Sequence, residues 1–155
     1  MRDCTERENW MSMILPARAS NLGLARVSVA SFAAQGGFTL TDIEEIKVAV
    51  SEAVSNVVLH AYPEGEGEVR ICARLCGDEL TVQISDRGVG IEDVSRAVEA
   101  SHSTLQGRMG VGFSFMEAFM DETAVESVPG EGTRIVMRRR VSREDEESVT
   151  DSPPR

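Results

Sequence analysis

Positive charge, cysteine and long apolar runs are all scarce in this chain, and each scarcity excludes something. Basic side chains number 16 against 26 acidic ones, for a net charge of −10. A surface of that sign releases no counterions from a nucleic-acid backbone, so direct nucleic-acid binding is excluded. A free nucleotide is not, because its phosphates arrive neutralised by a metal ion. The three cysteines, Cys4, Cys72 and Cys76, are odd in number and sparse. They do not make a disulfide framework, and reduced thiols are expected. Cys72 and Cys76 stand four apart, but no second ligand pair or neighbouring histidine completes a zinc site. No apolar run is long enough to cross a bilayer and no secretory segment follows Met1. A cytoplasmic protein without a membrane partner is expected.

What is present suits one domain. The chain has 155 residues, 41% of them hydrophobic, which is enough for one core. Residues 1–10 read as a loose extension, 11–141 as the domain, and 142–155 as a solvated acidic tail. Met11–Leu15 reads as a short edge strand ended by Pro16. Ser20 or Asn21 starts a helix running to about Gln35, with Leu22, Ala25, Val29, Phe32 and Ala33 as its apolar stripe. Thr41, with Glu44 three residues on, reads as the capping box of a second helix. Val69–Leu75 and Leu80–Ile84 alternate across a Gly77-Asp78 turn, as a hairpin with one buried face does. Val94–Ala100 is a short helix. Ser101–Arg108 is polar and bounded by glycine, like a mobile lid. A helix from about Gly112 to Met120 and strands at Ala124–Val128 and Thr133–Arg140 follow. This order predicts an α+β fold: a two-layer sandwich of a mixed, largely antiparallel sheet with helices on one face.

Four local features carry possible chemistry. In the second helix Ile43, Ile46, Val50, Ala53, Val54 and Val57 share one arc. Glu45, Ala49, Glu52, Asn56 and His60 fall on the next. Glu52 and Asn56 are i, i+4 neighbours, close enough to share a hard cation and a polar substrate. The same spacing also fits an ordinary solvated face. Asp86 ends a strand before Gly88 and Gly90, where an aspartate can accept from an exocyclic amine and glycines let backbone approach a flat ring. Asp-x-Gly-x-Gly is also a common turn. Gly107, Gly110 and Gly112 precede a helix, whose free N–H groups and dipole favour phosphate. They match neither a Walker A loop nor a dinucleotide-binding fingerprint. Gly132-Thr133 opens the final strand, where a hydroxyl would reach the same pocket.

Taken in this order and spacing, Glu52 with Asn56, Asp86 with Gly90, Gly110 with Gly112, and Gly132-Thr133 resemble the GHKL ATPase superfamily and its Bergerat fold, from about Met11 to Arg140. Leu24–Phe32, Ile46–Tyr62 and Phe113–Asp121 look very close to the sporulation anti-sigma F factors, a family of small protein serine kinases. The anti-sigma-B stress-response kinases are similar to a lesser degree. The resemblance implies ATP or ADP and Mg²⁺ as ligands. Asn56 would ligate the metal, and Glu52 would be general base toward an incoming hydroxyl. Asp86 would hold the adenine amine with Thr133 helping through water. Gly88, Gly90, Gly110 and Gly112 would line base and phosphates, and Arg108 would meet the γ-phosphate or a partner. Arg26 would lie on a partner-binding helix. The implied partners are a sporulation sigma factor, an anti-anti-sigma factor phosphorylated on serine, and a second copy of the chain. A nucleotide-dependent binding module and a two-component histidine kinase catalytic domain are the alternatives. No dimerisation helix pair with an acceptor histidine precedes Met11, and this counts against the latter.

Overall fold

The structure, a computed structural model, describes residues 8–102 and 111–142. Strand β1 (Glu8–Pro16) leads into a single 3-10 turn (Ala19–Asn21) and helix α1 (Leu22–Ala33). Helix α2 (Leu40–Asn56) continues into a π-helical segment (Val57–Ala61). The hairpin of β2 (Glu68–Cys76) and β3 (Glu79–Asp86) comes next, followed by α3 (Val94–His102) and α4 (Val111–Phe119). Strands β4 (Glu122–Val128) and β5 (Gly132–Arg140) finish the fold. The sheet order is β1-β2-β3-β5-β4, and every neighbouring pair is antiparallel. The sheet is thus uniformly antiparallel rather than mixed. The lid expected at Ser101–Arg108 lies for the most part outside the described residues.

Alternation along the strands separates the two faces of the sheet. Val69, Ile71, Ala73 and Leu75 of β2, Leu80, Val82 and Ile84 of β3, and Ile135 and Met137 of β5 are buried. They meet Ala25, Val29 and Phe32 of α1, Ile46, Val50 and Val54 of α2, and Met116 of α4 in one core. Each large apolar side chain so buried contributes about 1.5–3 kcal/mol before the entropy of ordering is subtracted. The other face carries ion pairs between strands, Arg134 with Glu126 and Arg138 with Glu122. Such exposed pairs contribute little.

Three local readings are corrected. The capping box of α2 is Thr39 with Asp42, not Thr41 with Glu44. The Thr39 hydroxyl accepts from the Asp42 N–H at 3.1 Å, and the Asp42 carboxylate accepts from the Thr39 N–H at 2.9 Å. The Thr-x-x-acid pattern occurs twice, two residues apart. The earlier copy wins because Asp42 also meets the partly exposed Arg139, whereas Glu44 pairs with Lys47 at the surface. Second, β1 starts at Glu8, because its register runs the whole length of β2, from Glu8 opposite Cys76 to Pro16 opposite Glu68. Third, the three cysteines are not all free thiols. Cys72 is free, but Cys76 is disulfide-bonded.

Candidate functional site

Helix α2 positions the first part of the site. Its N-terminal half is fixed by charge. Arg139 of β5 reaches Asp42 at 2.7 Å and Glu45 at 2.8 Å, and donates to the Phe119 carbonyl at the end of α4. The arc read from sequence as one polar side is therefore divided: Glu45 is ion-paired and Ala49 is fully buried. Glu52, Asn56 and His60 are what remains of it. Asn56 is the last residue of α2, and after it the helix widens into the π-helical segment. Such widened turns are rare and tend to sit at functional sites.

Asn56 and His60 face a cavity of about 340 Å³. Asp86 at the end of β3, Gly90 and Ile91 of the following loop, Phe113 of α4 and Thr133 of β5 line its other sides. Three separate segments of the sequence thus converge on it, through Asn56, through Asp86 and Gly90, and through Thr133. Among them Asn56 carries a signature of an unfilled role. Its side-chain Nδ2 is buried and has no hydrogen-bond partner among the described residues. A buried amide left so costs about 1–3 kcal/mol unless something external satisfies it.

Asp86 is built to accept. Its Oδ1 takes the Gly88 N–H at 2.9 Å, and the Thr133 N–H also donates to the carboxylate. Burial nevertheless outweighs these two donors and holds the Asp86 carboxyl above the ordinary carboxylate range. Two donors leave free lone pairs on a carboxylate, which has about four such positions.

The loop after Asp86 is held by close backbone approach. The Val89 N–H donates to the Ala61 carbonyl at 2.8 Å, and the Gly130 N–H to the Val89 carbonyl at 2.8 Å. A Cβ on Gly88 would stand 2.1 Å from the Ala61 oxygen. The lack of a side chain at Gly88 is what permits this contact with the helix exit. Gly90 does line the cavity, at φ +73°, and packs against the Val128 carbonyl.

The remaining expected residues are placed as follows. Glu52 lies one turn before Asn56, half-buried, and is not part of the cavity lining. Arg26 is exposed on α1. Gly112 falls in the first turn of α4. Arg108 and Gly110 lie outside the described residues.

Two residues that the motifs did not single out hold the site in shape. The Tyr62 hydroxyl donates to the Glu68 carbonyl at 2.6 Å and accepts from the Arg87 N–H at 3.0 Å. It thereby ties the loop after Asp86 to the start of β2. Ser127 of β4 stands opposite Thr133 in the register and touches both Thr133 and Ile91. Ser127 had no signal in the sequence; only the register of β4 with β5 pairs it with Thr133. Tyr62 gave none beyond being the one tyrosine of the chain.

Comparison with known proteins agrees with this geometry. The histidine kinase-like ATPase domain family matches residues 15–139. The anti-sigma F factor of Clostridium acetobutylicum is 43% identical over 135 residues, which is 86% of this chain and 94% of that protein. The anti-sigma F factor of Caldanaerobacter subterraneus subsp. tengcongensis is 41% identical over 140 residues, 89% of this chain and 98% of that protein. Among solved structures, the histidine kinase domain of the Erythrobacter litoralis EL346 blue-light activated histidine kinase superposes with a TM-score of 0.54. It is 19% identical, covers 82% of this chain and 62% of that one, and so speaks to the fold alone. The Bergerat arrangement of helices over an antiparallel sheet is therefore the fold, and the ATPase domain implies a nucleotide-binding cavity. With the matched domain spanning most of its length and relatives above 40% identity over nearly their whole chains, the protein belongs to the histidine kinase-like ATPase family and, within it, to the anti-sigma F factors.

Proposed function

We propose that this chain is an anti-sigma factor that holds a sporulation sigma factor while ATP is bound, and a protein serine kinase that inactivates its own anti-anti-sigma antagonist. The observation that carries the reading is the convergence of Asn56, Asp86 and Thr133 on one cavity with Glu52 one turn behind Asn56. Asp86 and Thr133 form a base end, and Asn56 with the N-terminus of α4 forms a phosphate end. The cavity has a volume that suits a nucleotide.

A divalent cation fits the residues present. Asn56 lines the cavity: its orphaned Nδ2 is a donor that suits a phosphate oxygen, and its amide oxygen is the atom that would ligate the cation. Among the described residues no three acidic, histidine or cysteine side chains gather into a cage. Mg²⁺ takes few protein ligands and keeps phosphate oxygens and waters, so one amide oxygen beside a triphosphate would serve it. When bound, it would neutralise charge on the triphosphate. Glu52 accepts the proton of a serine hydroxyl on the antagonist, and that oxygen attacks the γ-phosphorus in line while the bond to ADP breaks. The N–H groups at the start of α4, with Arg108 and Gly110, stabilise the transferring phosphoryl group. Arg26 on the exposed side of α1 contacts the partner proteins. The active assembly is a homodimer in the cytoplasm.

A second reading, a nucleotide-dependent binding module without useful catalysis, is favoured by one observation: Glu52 is not part of the cavity wall. Glu52→Gln distinguishes the two. With radiolabelled ATP and the anti-anti-sigma protein, the variant is expected to lose label transfer by at least about a hundredfold, in line with the usual contribution of a general base. It should keep most of its nucleotide and sigma-factor binding. Label transfer at the unaltered rate would remove Glu52 as base. Absence of transfer by the unaltered protein would leave the binding module.

A further inference from the structure

The base end of the cavity contains a hydroxyl whose direction is dictated from behind. Ser127 Oγ makes three short contacts. It accepts from the Ile91 N–H at 2.7 Å, lies 3.0 Å from the Gly132 carbonyl oxygen, and lies 2.8 Å from the Thr133 Oγ1. A serine hydroxyl has one hydrogen and two lone pairs. The Gly132 carbonyl can only accept, so the Ser127 hydrogen is committed to it. The Ile91 amide occupies one lone pair. The contact with Thr133 is then a hydrogen bond in one arrangement alone, with the Thr133 hydroxyl donating to Ser127. All four valences of the serine oxygen are used, and the single hydrogen of Thr133 points away from the cavity.

We propose that Ser127 is a specificity-determining residue: by taking the Thr133 hydrogen, it makes Thr133 an obligate acceptor toward the bound base. The inference rests on the nucleotide reading of this cavity. Thr133 then presents only lone pairs to a ligand, and the Asp86 carboxylate oxygens beside it accept as well. Two acceptors side by side favour a purine that brings N–H groups to the 6-position, or a water that passes its hydrogen to Thr133. A 6-oxo purine brings one donor, its N1–H, and its oxygen meets a lone pair at the other acceptor, so it is disfavoured. Ser127 acts through Thr133 and touches no ligand. Its hold on Ile91 is a separate, structural duty.

Titration calorimetry with ADP and with inosine diphosphate, which carries oxygen in place of the 6-amino group, tests this. Four forms are compared: the unaltered protein, Ser127→Ala, Thr133→Val and the double variant. In Ser127→Ala the Thr133 hydroxyl is free to turn and donate. The preference for ADP over inosine diphosphate should fall about fivefold, the scale of one hydrogen bond changing sense. In the Thr133→Val background the same serine change should leave the preference unaltered, whatever it does to both affinities together through Ile91. A Ser127→Ala protein that loses both affinities by one factor overturns the inference. So does an effect of the serine change on preference that persists undiminished in the Thr133→Val background. If the unaltered protein binds neither nucleotide, the nucleotide reading falls first and this inference with it. That result is visible before any variant is made.

Discussion

Asp42 and Asp86 are the same side chain in two situations. Each accepts a backbone N–H from a residue within three positions, Thr39 in one case and Gly88 in the other. Burial pushes both carboxyls upward, and in both that push is the largest single influence. The outcomes are opposite. At Asp42 the Thr39 donors and the Arg139 guanidinium together overcome burial and hold the carboxyl below its ordinary range. At Asp86 only backbone donors help, no cation pairs with it among the described residues, and the carboxyl stays above that range. The comparison teaches which carboxylate the fold has finished with and which it has left open. Asp42 is neutralised from within and anchors a helix. Asp86 is half-satisfied and waits for a donor from outside.

The difference can be broken at the anchored end first. Arg139→Met leaves Asp42 and Glu45 without their cation and the Phe119 carbonyl without its donor. Arg139 is only partly exposed and Asp42 is 5% exposed, so the loss should be about 3 kcal/mol in urea denaturation. The sign with pH follows from the lowered carboxyl of Asp42. Its contribution is present above the unfolded value of 3.8 and disappears as pH falls through the lower folded value. The stability gap between the unaltered protein and the variant should therefore close on acidification. A gap that is constant with pH would show that the arginine acts by packing.

The open end responds in the opposite way. Asp86→Asn should weaken ADP binding about thirtyfold, the loss of one charge-assisted hydrogen bond in a partly buried site. It should not destabilise the free protein at neutral pH. A raised carboxyl binds its proton more tightly when folded, so it costs stability as pH rises above 3.8, and the amide removes that cost. Calorimetric binding and thermal unfolding on one sample give both answers. Lower stability together with lower affinity would mean that Asp86 is a structural residue like Asp42. The smallest effect belongs to Tyr62→Phe, which keeps the ring but removes the hydroxyl that joins Glu68 to Arg87. About 1 kcal/mol should be lost, with faster hydrogen exchange at the Arg87 amide while the centres of β2 and β3 keep theirs. Unchanged exchange at Arg87 would remove Tyr62 from the support of the loop.

The same contrast explains what could be read in the sequence. The periodicities of β2, β3 and α2 are strong because each presents one face to a single core, and all three form where expected. Asn56, Asp86, Gly90 and Thr133 were legible because their chemistry needs particular residue types beside helix and strand ends. What escaped depends on partners distant in sequence. The capping box went to Thr39 because Arg139, 97 positions from Asp42, selects it. Glu45 and Ala49 left the polar arc because the sheet and α4 cover that side. Gly88 was read as clearance for a ligand, without its contact with the carbonyl of Ala61, which only the folded chain brings there. Ser127 is an ordinary strand serine until the register sets it against Thr133.

The widened helical turns from Val57 to Ala61 join Asn56 at one end to the Ala61 carbonyl at the other, where Val89 is tethered. Five residues of continuous backbone after Asn56 thus run along the cavity to Ala61, and both Asn56 and Ala61 line it. On the proposed reading, a nucleotide is gripped at both ends of one stiff bar. A nucleoside alone or a polyphosphate alone engages half of it and must cover the whole cost of immobilisation from that half. Joining the halves raises the effective concentration of each at its own end, so the intact nucleotide gains more than the sum of its fragments. On that reading, selectivity for a complete nucleotide is a chelate effect written into the end of a helix.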